Sequence, residues 1–462
     1  MEVKKSIYRL SCTVLLTAIA GALFFPRWHE FAFHHNQTGH LMGLGNLGMA
    51  LLIYLGMYLV IGRWMGAFRI GSDRRATLLA SQVLTLLTVD TLEIFVSMAI
   101  TGQYRFFNKF LLLYSILFLL QSVILCLAME PMISIFRKVF PPLQILEIHG
   151  DIENVVAEKF NGIPNKYLVA KQIRYQVGID AITKEIPQFD AVLINDLPAQ
   201  EENHILKACF DADKRVYFVP KISDIIVKSS ENVNRFDTPI YLCRNIGIRQ
   251  WQMAVKRFFD IALSILGLIF LSPIFLITAI AIKLEDQGPI LYRQERCTLG
   301  GKHFNILKFR SMIVDAEKDG RSHPAGEDDP RITKVGRFIR ACRVDELPQL
   351  INILKGEMSV VGPRPERIEH VEKYTEDIPE FSFRNKIKGG LTGAAQVYGK
   401  YNTTALDKLK MDLMYITNYS LLLDLQILFE TAKILFQKES TEGFTDDRVK
   451  EMHDIGREGE HT

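Results

Sequence analysis

Apolar positions along the chain fall into three kinds of run. Before residue 140 they form long stretches, roughly Leu10–Phe25, Leu41–Gly62, Thr77–Ile100 and Phe110–Met129. About 20 apolar residues in a helix cross a hydrocarbon core, so four transmembrane helices are predicted. The first is short, and its basic start resembles a signal peptide. No small-x-small cleavage site precedes Pro26, however, and more spans follow at once, so it is read as retained. From Leu143 the runs shorten. Ile145–Ile148, Tyr167–Ala170, Ala191–Ile194 and Arg215–Val219 read as strands, with Ile152–Phe160 and Asn203–Phe210 as crossing helices, a βαβ series that predicts a small parallel, Rossmann-like sheet. A third pattern begins at Ile261–Ile282, which is uncharged, long enough to span, and interrupted midway by Ser272-Pro273. Proline removes a backbone donor and clashes one turn back, and the serine hydroxyl can satisfy a freed group, so the helix is expected to break and return. The structural alternative is a proline kink in a fifth full span. Near the end, Leu421–Phe436 reads as an amphipathic helix, either lying on the membrane or packed in a core.

Charge gives these segments a direction. Lys4, Lys5, Arg9, Arg63, Arg69, Arg74, Arg75, Arg137 and Lys138 flank the first four spans on one side, against Arg27, Arg105 and Lys109 on the other. By the positive-inside rule both ends of the bundle are cytoplasmic. A full crossing by residues 256–283 would then strand the charged remainder outside, which favours a re-entrant hairpin whose edge charges (Lys256, Arg257 and Asp260; Lys283, Glu285 and Asp286) reach one interface. The organisation expected is a transmembrane bundle over 1–140, an α/β domain over 141–250, an α+β monotopic domain over 251–440 and a flexible charged tail over 441–462.

Composition excludes some classes. The 462 residues carry 55 Lys plus Arg against 52 Asp plus Glu, so no nucleic-acid partner is indicated, and 48% hydrophobic content excludes a disordered chain. Six cysteines without Cys-x-x-Cys spacing indicate neither a disulfide framework nor a zinc site. His29, His34, His35 and His40 sit in what reads as a loop after Pro26, without metal-ligand spacing. Asp90 and Glu93, inside the third span, mark either a proton path or partner site, or a pair placed near an interface or within the bundle. The first strand of the sheet runs into His149-Gly150-Asp151-Ile152 where a dinucleotide fold would have Gly-x-Gly-x-x-Gly, so the α/β domain is read as a scaffold, oligomerisation or regulatory module.

The chemistry is concentrated in Asp329–Pro365. Asp329-Pro330 starts a helix on which Lys334, Arg337, Arg340 and Arg343 stack as a cationic stripe opposite Val335, Phe338 and Ile339. Asp345-Glu346 follows. Adjacent carboxylates beside four cations suit the approach of an anion to a pyrophosphate, with the cations and a metal ion cancelling repulsion. Alternation over Phe304–Arg310 puts Lys308 and Arg310 on one polar strand face, and Arg364 is held between Pro363 and Pro365.

The run Gly336-Arg337-Phe338-Ile339-Arg340, then Asp345-Glu346-Leu347-Pro348-Gln349 through Lys355-Gly356-Glu357-Met358-Ser359 to Val361-Gly362-Pro363-Arg364-Pro365, resembles the bacterial sugar transferases, the polyprenyl-phosphate hexose-1-phosphate transferases. Lys308-Phe309-Arg310-Ser311-Met312, the Ser272-Pro273 break and Gly390-Leu391-Thr392-Gly393 with Gln396-Val397 match as well. The resemblance covers about residues 250–437, and the bundle and sheet before it look like the family's large subgroup. It implies an inner-membrane enzyme, its catalytic domain in the cytoplasm, moving hexose-1-phosphate from a UDP-sugar to undecaprenyl phosphate, releasing UMP and initiating exopolysaccharide, capsule or O-antigen assembly. It further implies Asp345 as nucleophile and Mg2+ ligand, Glu346 as its helper, phosphate and nucleotide contacts at Lys308, Arg310, Arg340, Pro363, Arg364, Pro365 and Thr392, and room for a homodimer. Gly389, Ala394 and Lys388 depart from the family pattern around the Gly-Leu-Thr-Gly loop. Two other functions compete: a glycosyltransferase acting on lipid-linked sugar, for which Asp328-Asp329-Pro330 is not the Asp-x-Asp strand required, and a non-enzymatic membrane sensor.

Overall fold

The computed structural model describes residues 2–35, 44–102, 104, 107–150, 156–233, 237–243, 248–314, 316, 329–399 and 403–435. His40, the start of the expected helix at Ile152, Asp328 and the tail 441–462 lie outside them. The chain divides into two compact units at Val219/Pro220.

In the first unit α1 (Glu2–His35), α2 (Leu44–Met65), α3 (Arg75–Thr101) and α4 (Phe107–Val139) are long and apolar enough to cross a membrane. Helix α1 is a correction to the expected loop: it continues through Pro26 to His35. Trp28 is buried and stacks on Phe24, which stacks in turn on Tyr54 at 4.1 Å, so packing on both sides of the proline outweighs its lost backbone bond. Polar groups in the bundle pair across helices. The Tyr54 hydroxyl donates to Gln121 at 2.9 Å, Gln121 Nε2 donates to the Ala20 carbonyl at 3.0 Å, and Gln82 donates to Tyr58 at 2.6 Å. Asp90 and Glu93 are buried in this interior. Among the described residues no group of three His, Cys, Asp or Glu side chains is placed to hold a metal ion.

The same unit continues into β1 (Leu143–His149), α5 (Val156–Asn161), β2 (Tyr167–Arg174), α6 (Ile179–Glu185), β3 (Ala191–Asn195), α7 (Ala199–Asp211) and β4 (Arg215–Phe218). The four strands form one parallel sheet in the order β2-β1-β3-β4. Continuous burial along β3 is what a strand covered on both faces requires. Beyond β1, Gly150 lies so close to Asp196 that a Cβ would fall 2.0 Å from its carbonyl oxygen.

The second unit opens with α8 (Ile222–Lys228) and a short hairpin, β5 (Glu231–Val233) and β6 (Ile240–Leu242). Ile225 and Ile248 belong to its main core with Leu350, Ile353, Phe381 and Leu413. Helices α9 (Gln250–Phe270) and α10 (Ser272–Asp286) meet at Leu271 with a 62° change of direction. Pro273 falls in the first turn of α10, where its missing N–H costs nothing, and Ser272 Oγ donates to the Ile269 carbonyl at 2.8 Å. The expected snorkelling of the N-terminal charges is not what the structure shows. Lys256 is buried and donates to Asp424 at 2.6 Å, Asp260 accepts from Val360 N at 2.9 Å, and Arg257 donates to the carbonyls of Ile353 and Leu354. Protein partners of opposite polarity are within reach, so these groups turn inward.

An antiparallel hairpin, β7 (Leu291–Cys297) and β8 (His303–Phe309), follows with α11 (Lys334–Ala341), α12 (Gln349–Lys355), β9 (Ser359–Val361), α13 (Ile368–Asp377), β10 (Gly390–Thr392), α14 (Ala394–Tyr398), α15 (Ala405–Thr417) and α16 (Leu421–Leu435). Buried Asn352 of α12 fastens the outer edge of β8: it accepts from Leu307 N at 2.9 Å and donates to the Asn305 carbonyl at 2.8 Å. Helix α11 is capped by Thr333, whose hydroxyl accepts from Gly336 N at 2.9 Å. The helix ends at Ala341, so Arg343 is outside it, and Phe338 is 69% exposed, not packed in the core opposite the cations.

At Gly336 a Cβ would stand 1.9 Å from the Ser311 carbonyl oxygen. Gly336→Ala is expected to push α11 off the segment after β8 and lower stability by about 1–3 kcal/mol, read as a reduced unfolding temperature of the detergent-solubilised protein.

Candidate active site

A single residue of unusual backbone geometry sets up the acidic pair. Arg343 adopts a left-handed conformation (φ 54°, ψ 22°), which turns the chain out of α11 into one 3-10 turn, Val344–Glu346, before Pro348 leads into α12. A long side chain in that region is costly, and such strain tends to be kept where the surrounding structure has a use for it.

The two carboxylates of this turn have opposite surroundings. Glu346 Oε1 accepts from Lys308 Nζ at 3.2 Å and from Arg364 Nη2 at 2.6 Å. Its side chain is only 13% exposed, and burial alone would raise its pKa, but Arg364 and Lys308 together hold it well below the usual carboxylate range. Arg364 is correspondingly stabilised as a cation, first by Glu346. Asp345 has no hydrogen bond or ion pair among the described residues. Burial raises its pKa and Glu346 adds to the rise, while Lys308, Arg340 and Arg364 oppose it without cancelling it. Lys308 is itself pulled down by burial and by Arg364, against the attraction of Glu346 and Asp345. The result is one clamped anion beside one unclaimed carboxylate.

Each part of the clamp is positioned from the backbone. Lys308 pairs with Tyr292 across the β7–β8 hairpin, the strand whose edge Asn352 secures. In the Pro363-Arg364-Pro365 turn every carbonyl is taken: Pro363 accepts from Gly390 N at 2.8 Å, Arg364 from Arg384 Nη2 at 3.0 Å, and Pro365 from Arg296 Nη1 at 3.2 Å. The turn is thereby fixed while the Arg364 side chain reaches Glu346.

The other residues singled out in the sequence divide into two groups. Arg340 acts on Asp345 through its charge. Arg310, buried, donates to Asp286 at the end of α10, and Thr392 is buried with its hydroxyl 2.7 Å from that of Thr431. Ser272 and Pro273 sit at the helix break. Four residues of the surrounding network went unnoticed in the sequence. Arg384 donates to Asp412 through Nη2 at 2.7 Å and through Nε at 3.1 Å and lies 3.7 Å from Glu366, whose neighbour Pro365 is bound by Arg296. Burial, reinforced by Arg364, lowers Arg296 to about 10. Alternation along β7 shows that Arg296 and Lys308 share a face; nothing local pairs Arg384 with Asp412, 28 positions on.

A magnesium ion fits this donor set in a restricted way. Mg2+ is commonly held by one or two carboxylates together with substrate phosphates and water, and the unclaimed oxygens of Asp345 are of that kind.

Residues 251–438 match the family model described as bacterial sugar transferase. The UDP-glucose:undecaprenyl-phosphate glucose-1-phosphate transferase of Caulobacter vibrioides is 41% identical over 191 residues, 40% of this chain and 71% of that protein. The chain belongs to the bacterial sugar transferase family. The Klebsiella pneumoniae protein of the same name is 33% identical over 306 residues, covering 64% of this chain and 60% of its own. The UDP-N-acetylgalactosamine-undecaprenyl-phosphate N-acetylgalactosaminephosphotransferase of Aeromonas hydrophila is 36% identical over 262 residues, 54% of this chain and 59% of its own. The chain thus spans about three-fifths of the length of these last two relatives. The segment matching the sugar transferase model contains the whole Asp345–Glu346–Lys308–Arg364 cluster and the Arg384–Asp412 pair.

Asp412 is 1% and Arg384 3% exposed. Arg384→Met strands a buried charge and frees the Arg364 carbonyl, and is expected to cost about 3–5 kcal/mol; thermal unfolding in detergent measures it.

Proposed function

We propose that the chain transfers a sugar-1-phosphate, hexose or N-acetylhexosamine, from a UDP-sugar to undecaprenyl phosphate, releasing UMP. The observation that carries the reading is the contrast within the acidic pair: Glu346 is saturated by two cations, whereas Asp345 is open and flanked by positive charge. A nucleophile for a diphosphate needs this combination, because an anion attacks an anion and the protein must cancel the repulsion. The names of the relatives, which join UDP-sugars to undecaprenyl phosphate, support the same chemistry.

In the first step an Asp345 oxygen bonds to the sugar-linked phosphorus, the bond from that phosphorus to the bridging oxygen breaks, and UMP leaves with the electron pair. In the second an oxygen of undecaprenyl phosphate bonds to the same phosphorus and the Asp345 carboxylate departs, leaving an undecaprenyl diphosphate sugar. Dividing the displacement lets each phosphate face the repulsion separately. Lys308, Arg340 and Arg364 supply positive charge for the diphosphate oxygens, and Glu346 keeps Lys308 and Arg364 in place. Asp345 would hold a magnesium ion, which when bound would supply further charge neutralisation.

Membrane placement follows the same reading. Both ends of the α9–α10 pair are tied to one domain, through Arg257 to α12 and through Asp286 to Arg310, which supports a re-entrant pair and opposes a crossing. Its break is rich in exposed apolar side chains, among them Phe270 and Ile277. The site then lies at the head groups of the inner membrane on the cytoplasmic side, where both substrates meet, and the product would initiate a surface polysaccharide.

With purified protein, UDP-sugars and undecaprenyl phosphate, UMP is the expected nucleotide; release of UDP would discard the mechanism. Asp345→Asn is expected to reduce UMP release by roughly a thousandfold or more. The working form of Asp345 is the carboxylate and its pKa is raised, so activity is lost as pH falls through a value above the ordinary aspartate range. Lys308→Met removes a charge that opposes the rise and should move this acid limb to higher pH, with Lys308→Arg restoring it; the pH profile of kcat/KM measures both.

A further inference from the structure

The first unit contains a cavity of about 160 Å3 that the transfer reaction does not use, bordered by Lys5, Arg9, Ser72, Lys166, Tyr167 and Arg215. It lies where the start of α1 and the end of α4 meet the sheet, since Phe136 and Leu143 also border it. Four cations around so small a space repel one another, and something must offset that.

For Arg9 and Lys166 the partners described do so only in part. Arg9 Nε donates to the Ile70 carbonyl at 2.9 Å, Nη2 donates to Ser72 Oγ at 3.2 Å, and the guanidinium stands 5.4 Å from the Phe136 ring centre. These are neutral partners, and they orient the guanidinium without cancelling its charge. Lys166 sits 4.7 Å from the Tyr167 ring centre. Burial lowers its pKa, Arg9 and Arg69 push it the same way, and Asp73 is the acidic group opposing them. Lys5 is the decisive residue: it is 7% exposed and has no hydrogen bond or ion pair among the described residues. An ammonium held beside other cations without a partner is costly, and a bound anion is the group that would remove the cost.

We propose that this cavity binds a phosphate group, with Lys5, Arg9, Lys166 and Arg215 as its ligands. Pockets for drug-sized molecules run to about 300–1,000 Å3, so the cavity suits a phosphate and not an entire nucleotide. Its position at the end of an apolar bundle admits two sources of the same chemistry, the head group of an anionic phospholipid or a soluble phosphate. Either would tie the sheet to the membrane helices through charge, giving the α/β module a ligand of its own, separate from the Asp345 site.

Native mass spectrometry of the full chain released from detergent tests this, with phosphatidylglycerol, phosphatidylcholine and inorganic phosphate titrated separately. One tightly retained phosphatidylglycerol assigns the lipid source, and one retained phosphate assigns the soluble source. In K5Q/K166Q the retained species should fall at least tenfold, whereas Lys138→Gln, which removes an exposed cation from the end of α4 outside the cavity, should leave it unchanged. If K5Q/K166Q fails to fold, K5R/K166R carries the test and must retain the adduct. Retention of neither anion, equal loss in Lys138→Gln, or loss in the arginine pair overturns the proposal.

Discussion

The sharing of one Glu346 oxygen by Lys308 and Arg364 is the contact on which the site depends. It brings a strand, a 3-10 turn and a proline-bounded turn to one point, and it leaves the other of two adjacent carboxylates without a hydrogen bond among the described residues. Without it, two anions and several cations would have many arrangements of similar energy. With it, Glu346 is a fixed anion and Asp345 is the one left over.

That contact is maintained by bonds made further out. Asn352 holds the edge of β8, and the Arg384–Asp412 pair supports the Arg364 turn from behind while Arg296 holds its end. A buried ion pair contributes little net stability when compared with an apolar pair, but it is expensive to break. Its use here is geometric. The donors fix three successive carbonyls, so the guanidinium of Arg364 is held toward Glu346.

The bent helix pair follows the same economy of partners. Charges at the start of α9 that would reach solvent in an isolated helix find Tyr415, Asp424, Ser359 and the last carbonyls of α12 instead. Apolar side chains are left exposed toward the break, and polar ones are drawn into the domain. Along one helix pair the polar side chains are thus satisfied within the folded core while the apolar ones face outward.

Local pattern was sufficient for the four apolar helices, the parallel strands and the helix break, because each depends on the spacing of neighbouring residues and on the backbone chemistry of proline. The acidic pair and its basic surroundings were legible for the same reason: the chemistry is dense within a short stretch, Asp329–Pro365. What the sequence did not contain was the pairing of charges far apart in the chain. Which carboxylate Lys308 and Arg364 would take, that Arg310 would turn to Asp286 and Thr392 to Thr431, and that Arg384 would meet Asp412 were decided by folding. The persistence of α1 beyond Pro26 belongs with these, since contacts of Phe24 with Tyr54 and of Trp28 with Phe24 come from packing. A charge or a ring takes the partner that the fold brings within a few ångströms, and sequence spacing does not report that distance.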